Sequence, residues 1–457
     1  MKCMEKFLLS QAAAWTGGRA AGETEIGSVS KDTSEIGAEC LFFAIQGERF
    51  DGHDFIPKAI ENGAVAVMSH REQELYPVPT LYVEDTRQAL LDLAGGYRDQ
   101  FGCPVVAITG SVGKTTTRGM TASVLSQRYE TCATHGNLNN QIGLPLSVLQ
   151  LEHRHEAAVF EMGMSAFGEI ASMADCAKPN IAVITAIGTS HIEFLGSREG
   201  ICRAKMEILS GLAARGGIAV LNGDEPLLWD QRDQIFGRKV WFGSENPDCD
   251  IRAQDIVQTA DGVRFTAVTP DGAFPVVLHL PGRHNAGNAL AAIACGWLLG
   301  LDAEEIAQGL DAFRPEGRRQ RLYEKNGFTI YEDCYNASPD SMQAALQVLG
   351  GQKGRRFAVL GSMLELGDYT AEGHRQAGRA AAQNADAAYL YGESAAYLAE
   401  GARDGGMKEE NIKIFDSHAA LAAALRQDAQ PGDALLFKGS RGMRMEQALG
   451  LFLGEDV

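Results

Sequence analysis

The residues best equipped for chemistry stand in one run, Val105-Val106-Ala107-Ile108-Thr109-Gly110-Ser111-Val112-Gly113-Lys114-Thr115-Thr116-Thr117. A β-branched apolar segment leads into a glycine-bracketed turn, and a Lys-Thr pair opens the next helix. Glycines let backbone approach an anion closely, so the N–H groups of Gly110, Ser111, Val112 and Gly113, with that helix N-terminus, can face several phosphate charges. Lys114 then reaches the β- and γ-phosphates, and Thr115, followed by Thr116, places a hydroxyl on Mg²⁺. The spacing Gly-x-x-Gly-Lys-Thr is shorter than the common Gly-x4-Gly-Lys-[Ser/Thr], because Ile108 occupies the first glycine's place. A metal there also needs a carboxylate. Ala157-Ala158-Val159-Phe160-Glu161 is an apolar strand ending in one, where a phosphate-loop fold would bring it beside the loop.

Other polar positions have two readings each. The loop His135 to Pro145 contains Asn137, Asn139 and Asn140, which alone would serve as Asn-mediated turns. His191 reads as a hydrogen-bonded loop histidine and Lys205 as an exposed helix lysine unless a metal gathers them. Asn285 and Asn288 suit a helix cap, Arg319 an exposed arginine and Asp333 a strand-end acid. The loop 47 to 53, with Arg49, Asp51, Gly52 and His53, suits a ligand rim or a solvated connection.

These residues must be positioned by more than one core. At 457 residues the chain exceeds a single ordinary domain. An apolar content of 45% with 22% charged residues describes a globular chain. The net charge of −18 argues against gripping nucleic-acid backbone, while an anionic ligand in one basic cleft stays compatible. Nine cysteines with no Cys-x-x-Cys predict reduced thiols in a cytoplasmic protein, with no disulfide framework. No signal peptide or membrane span is expected.

The periodicity predicts an α/β chain of three domains, at 1–100, 101–313 and 314–457. The first is a small α/β unit with a helix near Glu5 to Trp15, strands at Leu41–Ile45, Ala64–Met68 and Leu81–Val83, and a helix from an N-cap-like Asp85 to Tyr97. The central one is a doubly wound, mostly parallel sheet around the phosphate loop. Antiparallel strands come next between Cys249 and Leu280, with Thr269-Pro270-Asp271-Gly272 as a turn. The third is a Rossmann-like α/β series with strands near 328–333, 356–360, 387–391, 412–415 and 434–437 and no phosphate loop of its own.

Ordered blocks across nearly the whole chain resemble the Mur ligase superfamily, the ATP-dependent amide ligases of peptidoglycan precursor synthesis. They are Gly47 to His53, Thr109 to Thr116, Asn137 to Gly143, Glu161-Met162-Gly163, Tyr335 to Met342, Leu360 to Gly367, and Lys438-Gly439-Ser440-Arg441. The resemblance is nearest to the members that add D-alanyl-D-alanine to UDP-N-acetylmuramoyl-tripeptide, and so implies a UDP-substrate domain at the N-terminus and a role in cell-wall synthesis, cell shape and division; a monomer is the default expectation. It implies ATP and two Mg²⁺ ions, one on Thr115 and Glu161 and a second near His191 sharing Glu161, with Lys205 a candidate carbamylated ligand. Asn285 and Asn288 would approach the adenine. Arg319 and Asp333, with Tyr335 and Asn336, would approach phosphates and ribose from the third domain. Ser30, Arg49, Asp51, Gly52, His53, Asn137, Asn139 and Asn140 would meet the substrates. The family's Asp-Ser-Arg or Asp-Thr-Arg is here Asp32-Thr33-Ser34, without the arginine.

Two other readings share the loop. A folylpolyglutamate-synthase-like ligase would start close to its phosphate loop, whereas here about 100 residues precede it. A nucleotide switch, or a non-enzymatic nucleotide-binding protein, would need no acceptor.

Overall fold

The computed structural model describes residues 4–47, 50–259 and 262–455. Three main sheets succeed one another along the chain. In the first, Ser28–Ser30, Cys40–Phe43, Ala66–Ser69 and Thr80–Tyr82 run parallel, with Arg19–Ala21 antiparallel at the edge. The helix Thr86–Arg98 packs on it and starts as the sequence suggests, with Asp85 accepting from the N–H groups of Arg87 and Gln88.

One opening element differs from expectation. Phe7–Leu8 pairs as a short strand with Glu25–Ile26, so the helix begins only at Leu9. Phe7 is buried against Trp15 and Tyr97, a contact that fixes it better in extended backbone than its helical period suggests.

Among the described residues the central sheet has nine strands. Thr131–Ala133, Ala157–Glu161, Val105–Thr109, Ile181–Ile184, Ile218–Asn222, Arg238–Gly243 and Ile251–Thr259 lie side by side in that order, all parallel. Two further strands, Gly262–Thr269 and Gly272–Leu278, extend it antiparallel. The hairpin between them turns at the expected Thr269 to Gly272 step. Strands buried on both faces read as continuous Val, Ile and Ala, which is why the parallel ones are legible in the sequence. Thr131–Ala133, three residues at the edge, carries too short a pattern to announce itself.

Val105–Thr109 is an interior strand of the central sheet, third from the Thr131–Ala133 edge, and neighbours joined in opposite chain directions flank it. That is the switch point at which open α/β sheets place ligands, beyond the carboxyl ends of the strands. The helix Lys114–Leu125 leaves the same strand and is covered by His284–Leu298 and Ala303–Ala312. These helices meet closely: a Cβ on Gly309 would lie 2.5 Å from the Val124 backbone. Fully buried side chains here, such as Leu290, Ile293 and Val124, each contribute about 1.5–3 kcal/mol.

The third sheet runs Arg321–Lys325, Phe328–Asp333, Ala434–Lys438, Arg356–Gly361, Ala387–Tyr391 and Ile412–Phe415, parallel except for its first hairpin. Among the described residues no helix is long and apolar enough to cross a membrane. The eight described cysteines are all buried.

Candidate active site

The loop after the central strand is held from outside. Thr185 Oγ1 donates to Val112 O at 2.6 Å, and Ser111 N donates to Ala186 O at 2.8 Å. A Cβ on Gly113, whose φ is +84°, would stand 2.3 Å from Asn288 Oδ1. Glycine is therefore required there both by conformation and by space. Lys114 Nζ donates to Gly110 O at 2.6 Å and Ser111 O at 3.3 Å, so it bridges the loop's own carbonyls. Burial pushes its ammonium below the ordinary value, Glu161 opposes that, and Arg319 adds to it. Ser111 Oγ is buried and has no hydrogen-bond partner.

Register places the carboxylate. Glu161 pairs with Ile108, two residues before Gly110, and is 1% exposed. Its N–H donates to Thr134 Oγ1 at 3.1 Å, and its Oε1 accepts from Asn139 Nδ2 at 2.7 Å. Its Oε2 is buried without a hydrogen bond, with Arg118 Nε at 4.0 Å. Asn139 thus braces Glu161. Asn140 caps a turn by accepting from the N–H groups of Ile142 and Gly143, and Asn137 is exposed.

Lys205 departs from the exposed-lysine reading. It is 1% exposed on the helix Arg198–Met206, and burial, then the charge of Lys114, pushes its pKa well below the ordinary lysine value. The neutral amine is the form that can take up CO₂.

His191, in left-handed backbone at φ +61°, meets the third sheet's side of the molecule: its Nδ1 lies 2.7 Å from Glu365 Oε2. That contact and the pull of the imidazole hold the Glu365 carboxyl below its usual range. Among the described residues, no three His, Cys, Asp or Glu side chains are gathered as a metal-binding group. A carboxylate with one free oxygen beside a hydroxyl-bearing phosphate loop suits Mg²⁺ delivered with a nucleotide, because that ion keeps several waters and takes few protein ligands.

Asn285 and Asn288 form a chain inside the protein. Asn285 Nδ2 donates to Pro281 O and Gln320 Oε1, Asn288 Nδ2 donates to Asn285 Oδ1, and Thr117 Oγ1 donates to Asn288 Oδ1. With Asn285 fully buried, the pair braces the loop from behind.

From the third sheet, the Arg319 guanidinium lies over the Tyr335 ring at 3.5 Å. Asp333 is paired with the buried Lys438, which also donates to Asn336 O at 3.0 Å. Asp340 Oδ2 accepts from Thr189 N and Oγ1 at 3.1 and 3.2 Å, directly beside Gly188 and the loop.

The first sheet carries a separate polar cluster. Ser30 is buried and its hydroxyl bonds within its own turn, to Asp32. Asp51 accepts from His53 N and from Arg71 Nη2 at 2.8 Å, while His53 Nδ1 lies 2.6 Å from the same carboxylate. Burial raises the Asp51 pKa, but these His53 and Arg71 bonds outweigh it and bring it to about 2. Gly52 fits against Ile45 backbone, where a Cβ would come within 2.6 Å. Beside the cluster, at the strand ends, opens a groove of about 890 Å³ lined in part by Arg19, His70, Arg71, Glu74 and Tyr82. Arg49 lies outside the described residues.

Sequence pattern does not mark Arg71, Arg118, Asp340, Glu365 or Lys438 as site residues. Asp340, Glu365 and Lys438 stand inside the motif blocks that carry the family resemblance, a signal that could find them; Arg71 and Arg118 have none.

Known proteins share this architecture. The Mur ligase middle domain matches residues 108–296, the Mur ligase glutamate ligase domain 317–441, and the Mur ligase family catalytic domain 25–98. The UDP-N-acetylmuramoyl-tripeptide–D-alanyl-D-alanine ligase of Bacillus subtilis is 40% identical, covering 93% of each chain. The crystal structure of MurF from Acinetobacter baumannii superposes with a TM-score of 0.92 at 33% identity, covering 99% of this chain and 100% of that one. That of the MurF ligase from Thermotoga maritima in complex with ADP gives 0.84 at 31% identity, covering 94% and 97%.

Proposed function

The chain belongs to the Mur ligase family, and from that premise we propose that it is an ATP-dependent ligase joining D-alanyl-D-alanine to UDP-N-acetylmuramoyl-tripeptide in peptidoglycan precursor synthesis. The observation that carries the chemistry is the buried Glu161 carboxylate with its free Oε2, ending the strand beside a phosphate loop braced by Thr185 and Asn288.

A carboxylate does not react with an amine at neutral pH, since it is anionic and its leaving group poor. The tripeptide carboxylate therefore attacks the γ-phosphorus of ATP: an O–P bond forms and the bond to ADP breaks. The dipeptide amine then adds to the acyl carbon, forming the C–N bond of a tetrahedral intermediate and losing a proton to water, and phosphate leaves with the C–O bond electrons. Lys114 turns from its loop carbonyls to the transferring phosphoryl group; the Ser111 N–H, expected to face phosphate, is instead taken by Ala186 O. Thr115 and Glu161 would hold Mg²⁺, which neutralises the phosphate charge when bound. His191 and a carbamylated Lys205 would serve a second ion; the burial of the Lys205 amine, which pushes its pKa well below the ordinary lysine value, supports that assignment. Arg319, Tyr335, Asp333 and Asn336 close on the nucleotide from the third sheet, with Asn285 and Asn288 behind the loop.

The cluster of Asp51, Gly52 and His53, with Ser30, would form the uridine-nucleotide end, to which the sequence adds Arg49, and Asn137, Asn139 and Asn140 would meet the substrates. The domain division 1–100, 101–313 and 314–457 fits these roles. Nine scattered cysteines with no Cys-x-x-Cys support a cytoplasmic setting, and a monomer is the working state. The test is phosphate release from ATP with UDP-N-acetylmuramoyl-tripeptide, with and without D-alanyl-D-alanine. Release that depends on the dipeptide is expected, and release that ignores it would replace the ligase reading with a nucleotide switch.

A further inference from the structure

One turn beyond Lys114 on the same helix, Arg118 is 1% exposed. Its Nη1 donates to Thr134 O, and its Nη2 donates to Glu316 Oε2 at 2.7 Å. Glu316 belongs to the segment that joins the helix Ala303–Ala312 to the third sheet, and its side chain is 57% exposed. Thr134 in turn accepts the Glu161 N–H through its hydroxyl. Arg118, Thr134 and Glu161 thus form a closed set behind the metal-facing oxygen.

The spacing within that set matters. At 4.0 Å, Arg118 Nε lies too far from Glu161 Oε2 to be a hydrogen-bond donor. Asn139 takes Oε1, so the guanidinium offsets the buried charge without covering Oε2. Had Nε closed on Oε2 as an ordinary ion pair, that oxygen would be spent. The two anchors hold the guanidinium back: one is the Thr134 carbonyl at the end of the edge strand, the other a carboxylate from the connecting segment.

We infer that Arg118 is a positioning residue that keeps the free oxygen of Glu161 aimed at the metal–nucleotide. This rests on the Mg²⁺ assignment at Glu161 made above. It also has a sign of its own. If Arg118 were a bystander cation, its removal would tighten metal binding by relieving repulsion. As a positioning residue its removal loosens Glu161 and weakens binding.

The experiment is a Mn²⁺ titration by electron paramagnetic resonance on the full chain with saturating ADP, with ADP affinity measured separately without metal. Arg118→Met is expected to weaken Mn²⁺ binding about 10-fold or more, the range typical of groups that orient a metal ligand, while metal-free ADP affinity holds. Arg118→Lys, which keeps the charge but reaches a single anchor, is expected to fold and to fall between wild type and Met. Unchanged or tighter Mn²⁺ binding in Arg118→Met overturns the inference, as does unchanged binding in Arg118→Lys should the Met variant not fold. Glu161→Gln separates the two levels: if it binds Mn²⁺ as wild type does, the metal assignment falls and the inference with it.

Discussion

Replacing Lys114 by methionine separates catalysis from folding. Its two bonds go to Gly110 O and Ser111 O within the same loop. Each, made by a charged donor, is worth about 1.5–3 kcal/mol, and relief of the ammonium's desolvation, several kcal/mol, offsets most of the sum, so stability should fall by about 2 kcal/mol at most. For domains of this size that is a melting shift of roughly 4–8 °C at the upper end. The rate effect is of another order. Removing a cation that meets the transferring phosphoryl group costs about 10³- to 10⁵-fold, or about 4–7 kcal/mol in barrier height. The assay is phosphate release with both substrates saturating, beside thermal melting and near-ultraviolet circular dichroism. Turnover within tenfold of wild type would refute the phosphate role. Loss of the folded spectrum would show that Lys114 serves the fold.

The geometry sets three further outcomes. Lys205→Met should abolish turnover yet raise the melting temperature at pH 7.5; because the folded amine binds its proton more weakly than the unfolded one, wild-type stability climbs with pH between that depressed pKa and about 10.5, and the gap to the variant should narrow there. A gap that ignores pH would remove the buried-amine account. Asp51→Asn should cost about 1–2 kcal/mol in urea unfolding, from a weakened cap and a lost ion pair; this advantage of the carboxylate is present above its unfolded value and fades as pH falls toward about 2, so a constant difference over that window would contradict it. Gly113→Ala, forced against Asn288 at positive φ, should cost roughly 1–3 kcal/mol and weaken ADP binding at least tenfold, both readable by calorimetry.

The sequence by itself determined the elements whose information is local. The phosphate loop, the acid ending Ala157–Glu161, the cap at Asp85 and the hairpin at Thr269 to Gly272 each depend on neighbours a few positions away, and each stands where the pattern puts it. The ordered motif blocks carried the family. What stayed hidden were contacts between residues far apart in the chain. Lys205 reads as an exposed lysine because nothing near it announces burial, and only the packing of its helix removes it from water. Asn139 looks like a turn residue until the fold brings it to Glu161, 22 positions on. Arg118 to Glu316 spans 198 positions and Asp340 to Thr189 spans 151, each joining the phosphate-loop region to the chain beyond it. Backbone preference and hydrophobic period act over single turns and strands, so they fix which groups the chain offers. Which oxygen of Glu161 stays free, and which cation stands behind it, was decided by the register of two parallel strands and by Asn139, Thr134 and Glu316, brought together from distant parts of the chain.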